Sequence, residues 1–383
     1  MNERIYFDNA ATTRVRPEVY EAMLPFFNES FGNPSGVYGA SREGRRAAEA
    51  ARVSVAGLFN APPDEIFFTG GGTESDNWAV KGAAYANGGG HIITCATEHH
   101  ALLRACEYLA GHGFDVTFLP VDGDGLLDPD DVKNAIRPDT FLISVMLANN
   151  ETGAVQPARE IGKIAKERGV LFHTDAVAAA GHIKTDVGEL NADMLSVSAH
   201  KLYGPKGAGA LYIKNGVKID PLLHGGSQEK NRRAGTENVA GIAGFGKAAE
   251  LALAEMEAEG GRETALRDKI INDVLNLIPD SRLNGPVKNR LPGNASFSFK
   301  FIEGASAAEL LDIKNICVSS GSACSAGSDA PSHVLTAMGL PAELARGSLR
   351  VTLGRYNTEA EADVFLRELP LIIKKLRDMS PLI

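Results

Sequence analysis

Cysteine is scarce in this chain: four residues, Cys95, Cys106, Cys317 and Cys324, among 383. None forms a C-x-x-C pair, and four thiols in so long a chain make neither a disulfide scaffold nor a structural zinc site. A reducing compartment is the expectation, and with it a cytoplasmic location. Long apolar runs are missing as well. The opening MNERIYFDNAATT has no apolar h-region, and no uncharged apolar segment is long enough to span a bilayer. Neither a secretory signal nor a membrane span is therefore expected. Basic clusters are absent too. The net charge is −9 and no Lys/Arg run stands out, which argues against nucleic acid or an anionic membrane as partner. Low-complexity tracts, internal repeats and freely moving Pro- or Ser-rich linkers are also missing.

What is present is an ordinary globular composition, 44% apolar and 23% charged, with glycine high at 41 residues. The length suggests two or three domains. From about residue 60 to 215, seven short apolar or β-branched runs alternate with helical patterns: IFFT (66–69), HIITCA (91–96), VTFLPV (116–121), FLISVML (141–147), VLFHTD (170–175), LSVSA (195–199) and GALYIK (209–214). Such alternation predicts an α/β fold with a mainly parallel sheet covered on both faces. SREGRRAAEAARVSVAGLF reads as a further helix with Ser41 at its N-cap. After about residue 238 a long helical region (239–277) leads into a second, compact α+β unit with NASFSFKF, ICVSS and SLRVTL as strands.

Several segments place reactive side chains at predicted strand ends, where an open α/β sheet binds its ligands. LSVSAHKLYGPKG ends a strand on Lys201, either a solvated turn lysine or an amine suited to carbonyl chemistry. VLFHTDA ends one on Asp175, a costly carboxylate unless a cation meets it, or an N-cap for the next element. FFTGGGTESDN runs from a strand through three glycines into a helix start at Gly72 and Thr73, which suits an anion such as phosphate. It lacks the G-K-[ST] of a Walker loop. His99 and His100 follow another strand, and one of them can lie on an aromatic ring or move protons. ANNETG (148–153) brings two amides and a Glu, and SLRVTLGRYNT offers Arg350 or Arg355 as a fork for a carboxylate. Together these are the parts of a site for pyridoxal phosphate (PLP), whose ring nitrogen needs a carboxylate such as Asp175.

The sequence resembles the PLP-dependent cysteine desulfurases of the nitrogen-fixation and iron–sulfur-assembly type, within the class V aminotransferase superfamily. The resemblance runs along essentially the whole chain, through YFDNAATT, SFGNPSGVYGASREGR, FTGGGTESDN, TEHHA, NNETGAVQP, HTDA, SAHKLYGPKGAGALY, RRAGTENV, SGSACSAG and GRYNTEAEAD. It implies the fold of aspartate aminotransferase, with a seven-stranded large domain (15–257) and a small domain (1–14 and 258–383) carrying a loop at 319–333. It also implies roles for single residues. Lys201 would bind PLP through its amine and shuttle the substrate Cα proton. Asp175 would pair with the ring nitrogen, and His99 would stack on the ring. Gly72, Thr73, Ser198 and His200 would hold the phosphate, joined by Thr236 from the second subunit of a homodimer. Asn150 would lie near the cofactor and substrate, and Arg350 would take the substrate carboxylate. The substrate would be L-cysteine and the product L-alanine.

Cys324 sits in SSGSACSAGSDAPSH, a Gly/Ser-rich stretch that reads as a mobile loop. In the family such a cysteine takes the sulfur as a persulfide and carries it to an acceptor; the resemblance implies an iron–sulfur scaffold protein here, with tRNA thiolation as a further destination. A thiol on a movable arm can both attack and deliver. Beyond transient iron–sulfur ligation by Cys324 no metal is expected. Cys95 and Cys106 read as core residues, and Cys317 lies in a strand pattern. One departure stands out: the family usually has a glutamine three residues after the aspartate, and HTDAVA puts Ala178 there. Competing expectations are a selenocysteine lyase or another class V PLP enzyme, or a desulfurase-like assembly partner of weak activity.

Overall fold

The structure is a computed structural model that describes residues 4–321 and 330–380. Cys324 and most of its loop therefore lie outside the described residues. After a short first strand β1 (Ile5–Tyr6), seven strands follow in chain order: β2 (Ile66–Thr69), β3 (His91–Cys95), β4 (Asp115–Leu119), β5 (Thr140–Ser144), β6 (Leu171–Asp175), β7 (Met194–Ser198) and β8 (Gly209–Ile213). They form one sheet in the order β2-β8-β7-β6-β5-β3-β4. Only β8 runs against its neighbours; the β3–β4, β3–β5, β5–β6 and β6–β7 pairs are parallel. All seven expected runs are in this sheet.

Strands this apolar are explained by their two covered faces. Successive side chains alternate between them. Ile93, Ile143, Phe172 and Leu195 point into a core shared with Val55, Phe59, Ile161 and Phe245. Ile92, Leu142, Met194 and Leu211 point the other way, against Trp78, Leu102 and Cys106. The helix expected to be capped by Ser41 instead spans Gly39–Phe59, with Tyr38 at its N-cap. Ser41 is buried and its backbone N–H already bonds the Tyr38 carbonyl, so the first turn closes ahead of the expected cap.

The remaining strands are β9 (Ser281–Leu283), β10 (Asn294–Phe299), β11 (Ile316–Cys317), β12 (Ser319–Ser320) and β13 (Ser348–Thr352). Four of them form an antiparallel sheet, β12-β13-β10-β9, while β11 pairs with β1. ICVSS, expected as one strand, is thus divided between two sheets: Ile316 pairs with Ile5, and Ser319 pairs with Arg350. Phe7, Phe297, Ile316, Val351 and Phe365 build the core of this unit. The helix Val239–Leu277 enters both cores, with Ile242 and Phe245 in the sheet core and Ile270 and Val274 in the second.

Two sets of polar contacts tie distant segments together. The segment FDNAATT stitches one unit to the other. Thr13 Oγ1 donates to the His200 carbonyl (2.8 Å) and accepts from the Tyr203 N–H (2.9 Å), while the Ala10 N–H donates to Thr352 Oγ1 (2.9 Å). A buried ion pair, Arg52 with Glu229 at 2.8 Å, pins the loop that carries Thr236 onto β2, where Glu229 also accepts the Phe68 N–H.

Candidate active site

A cleft of about 300 Å³ opens at the C-terminal ends of β6 and β7. Its lining includes Gly72, Thr73, His99, Asn150, Asp175, Ala178, Ser198, His200, Lys201 and Arg350. Nine of the candidates read from the sequence are therefore brought to one place. Thr236 is not among them; it is exposed on the loop before the long helix. Cys324 lies outside the described residues.

Each member is placed by local structure. Lys201 ends the short 3-10 turn that follows β7. Its Nζ donates to the carbonyls of Ala10 and Ala11, the latter at 2.8 Å. Asp175, the last residue of β6, is 4% exposed. Its Oδ1 accepts the Val177 N–H (2.8 Å), so the capping role is real, but one amide does not neutralise a buried carboxylate. Burial pushes it up to about 6, against the opposing pull of that N–H and the Lys201 ammonium. Such a carboxylate favours a cationic partner in the cleft.

Opposite it, the Gly72–Asn87 helix begins without any side-chain cap. Its first amides are free to receive an anion, and the positive end of the helix dipole favours one. Gly71, at φ +147, adopts backbone that a residue with a Cβ resists, and a Cβ on Gly72 would meet Val177 Cγ2 at 2.7 Å. Ser198 and His200 border the same end of the cleft. His200 shares a 3.1 Å contact with Thr12 Oγ1, and burial, with Lys201 and Lys206 nearby, lowers it to about 4.

Of the two adjacent histidines, the structure brings His99 into the cleft. It is the N-cap of the His100–Ala110 helix, its Nδ1 accepting the Ala101 N–H at 3.1 Å. Burial, then Lys201, lowers it to about 4. The ring is therefore neutral at pH 7 with its proton on Nε2. His100 turns aside and packs on His333, ring centroids 4.3 Å apart. Of the two amides, Asn149 is spent on the turn, accepting the N–H groups of Glu151 and Thr152, and Asn150 lines the cleft. Of the two arginines, Arg355 pairs with Glu255, away from the cleft. Arg350, on β13, is 3% exposed. It donates to Asp8 (2.9 Å) and to the Asn150 carbonyl (3.3 Å), leaving Nε without a partner among the described residues. That is the residual capacity of a carboxylate-binding fork.

Sequence reasoning gave no individual role to Ala10 and Ala11, whose carbonyls hold the lysine amine. It also missed Asp76, one helical turn past Gly72, which lines the cleft at 1% exposure, its Oδ1 without a hydrogen-bond partner among the described residues. Burial first, and Asp175 next, raise Asp76 well above the carboxylate range, so the pair resists a second negative charge. A carboxyl inside TESDN, within an otherwise buried helix face, was the available signal. Cys95 and Cys106 are buried, and burial pushes both thiols up to about 12. They are core residues, as expected. No helix among the described residues is long and apolar enough to cross a membrane.

Comparison with known proteins gives consistent relatives. The family model for class-V aminotransferases matches residues 5–365. A protein of Methanosarcina thermophila named cysteine desulfurase IscS is 55% identical over 383 residues, covering 100% of this chain and 95% of the relative. A solved structure described as a NifS-like protein superimposes with a TM-score of 0.92 at 40% identity, covering 97% of this chain and 100% of the other. Another, described as SspA in complex with cysteine, gives a TM-score of 0.82 at 39% identity, covering 92% and 100%.

Proposed function

The chain belongs to the class-V aminotransferase family, and from that membership and the cleft we propose that it is a PLP-dependent cysteine desulfurase. It would convert L-cysteine to L-alanine and pass the sulfur to Cys324 as a persulfide, then to an iron–sulfur scaffold protein. One observation carries the reading. A lysine amine, a buried carboxylate in want of a cation and an uncapped helix start share one cleft with a half-paired arginine.

The donor set fits PLP. Lys201 would hold it covalently, Asp175 would face its ring nitrogen, and Gly72, Thr73, Ser198 and His200 would take its phosphate. Thr236, exposed here, would complete that pocket from the second subunit of a homodimer. When bound, PLP supplies an electron sink for the pair left on the substrate Cα. The chain does the rest. Arg350 offers Nε to the substrate carboxylate, and Asn150 flanks it. Lys201 takes the Cα proton. His99 presents a neutral Nε2–H beside the lysine, so it can donate a hydrogen bond without adding a charge. Ala178 leaves open the place of the family's glutamine, so one hydrogen bond to the cofactor falls to other donors.

The cores at either end of the 239–277 helix support a division into a large unit (15–257) and a small one (1–14 with 258–383). Free thiols at Cys95, Cys106 and Cys317 suit the cytoplasm. The test is alanine release from L-cysteine by the parent and by Cys324→Ser, with cofactor absorbance followed in both. Alanine from the parent alone, with spectral changes in both, supports the reading. Equal alanine from both removes Cys324 as the sulfur acceptor.

A further inference from the structure

One smaller cavity adjoins the cleft and a second lies beyond it, and the same two side chains, His182 and Glu263, line both. The first, about 40 Å³, reaches Lys201, Ala178 and Asn294. The second, about 30 Å³, is walled by Arg16, Tyr203, Glu255 and Arg355. Glu255 and Arg355 are partly exposed, so this cavity leads toward solvent. Each volume exceeds the roughly 10–15 Å³ that one water needs, and each has polar walls.

Glu263 lies in the middle of the long helix and is 3% exposed. Among the described residues its carboxyl has no hydrogen-bond partner. A polar group so deeply placed is satisfied by water or carries its desolvation cost uncompensated. His182 donates from Nε2 to the Lys201 carbonyl (3.0 Å), which fixes its proton and leaves Nδ1 as an acceptor. Ala178 lines both the cleft and the first cavity, and a longer side chain there would fill the passage between them.

We propose that Glu263 is a proton relay for Lys201, acting through water held in the cavity that Ala178 leaves open. In one direction an N–H bond of the Lys201 ammonium breaks, the proton crosses the water, and an O–H bond forms on the Glu263 carboxylate. That carboxyl then releases its proton through the second cavity. The reverse path recharges the lysine, and no oxidation or reduction is involved. Glu263 touches neither substrate nor cofactor; it acts through the lysine.

Its surroundings suit the task. Burial pushes Glu263 up to about 8; Arg262 and Arg355 pull it down, and Glu259 adds to the rise. Arg16, Tyr203, Glu255, His182 and Lys201 complete the charged and titratable groups around the two cavities. A carboxyl titrating near neutrality can both give and take a proton. The inference rests on Lys201 taking the Cα proton, as proposed above.

The experiment supplies the holoenzyme with L-cysteine deuterated at Cα and measures deuterium retained in the alanine, for the parent, Glu263→Gln and Ala178→Gln. In the parent, exchange through the relay washes the label out. Each variant should retain about two-fold more or better, and Glu263→Gln should lower kcat about ten-fold, less than for a group acting directly on substrate. KM should hold, and the limb near pH 8 in the parent's kcat profile should vanish in Glu263→Gln. Alanine with equal retention in all three proteins, or a pH profile unchanged in Glu263→Gln, overturns the relay alone. No alanine from the parent overturns the desulfurase reading and the relay with it.

Discussion

Asp175→Asn should make the cofactor-free protein more stable and the cofactor-loaded protein worse. The carboxyl rises from 3.8 to about 6 because burial outweighs the Val177 N–H and the Lys201 ammonium. Taken alone, that rise is a penalty of about 3 kcal/mol on the ionised form. Asp76 shares the buried charge, so removing one carboxylate returns about 1–3 kcal/mol. The sign is set by proton binding. Between pH 3.8 and about 6 the folded chain holds a proton that the unfolded chain has released, so stability falls as pH rises through that window. The penalty is fully present above it and absent below. For a chain of this length the gain is about 1–4 °C in Tm near neutral pH. It should shrink toward zero at about pH 4. Asparagine keeps the oxygen that accepts the Val177 N–H, so the turn should survive. The same change should weaken PLP binding about 10- to 100-fold, because the ring loses its counter-charge. Calorimetry of cofactor-free protein at the two pH values, with a PLP titration of each, reads both effects. A variant no more stable than the parent near neutral pH, or stabilised equally in acid, refutes the electrostatic argument. One that is stabilised yet holds PLP as tightly as the parent refutes the assignment of Asp175 to the ring.

Two other expectations rest on single side chains. Arg350→Lys keeps the charge and loses the fork, so KM for L-cysteine should rise about 10- to 100-fold with a smaller fall in kcat, read from steady-state alanine formation. Glu229→Gln leaves the Arg52 guanidinium buried beside a neutral amide; denaturant melts should show a loss of about 3 kcal/mol.

The central sheet was legible because its strands carry apolar side chains on both faces, and the helices between them are amphipathic. The cleft was legible because Lys201, Asp175 and the Gly72–Thr73 turn fall at strand ends, the only edge where a parallel sheet gathers distant residues. Choices between neighbours were not. Nothing local separates Arg350 from Arg355 or Asn149 from Asn150, since the distinction is which side of β13, or of one turn, faces the cleft. The split of ICVSS was hidden for the same reason: its partners, Ile5 and Arg350, lie far away in sequence. Ser41 misled because a serine before a helical run signals a cap only when its side chain stays outside, and here it is buried. Glu263 was invisible. GGRETALRDK reads as a solvated helix face, and only the junction of two cores turns that glutamate inward.

The helix Val239–Leu277 has a consequence for any attempt to divide the protein. At 39 residues it is about 58 Å of continuous backbone. Cutting it would strip Ile242 and Phe245 from one fragment's interior or Ile270 and Val274 from the other's. Either fragment would then expose an interior that the missing helical turns now cover. One helix thus supplies side chains to both interiors, which ties the stability of each unit to the other.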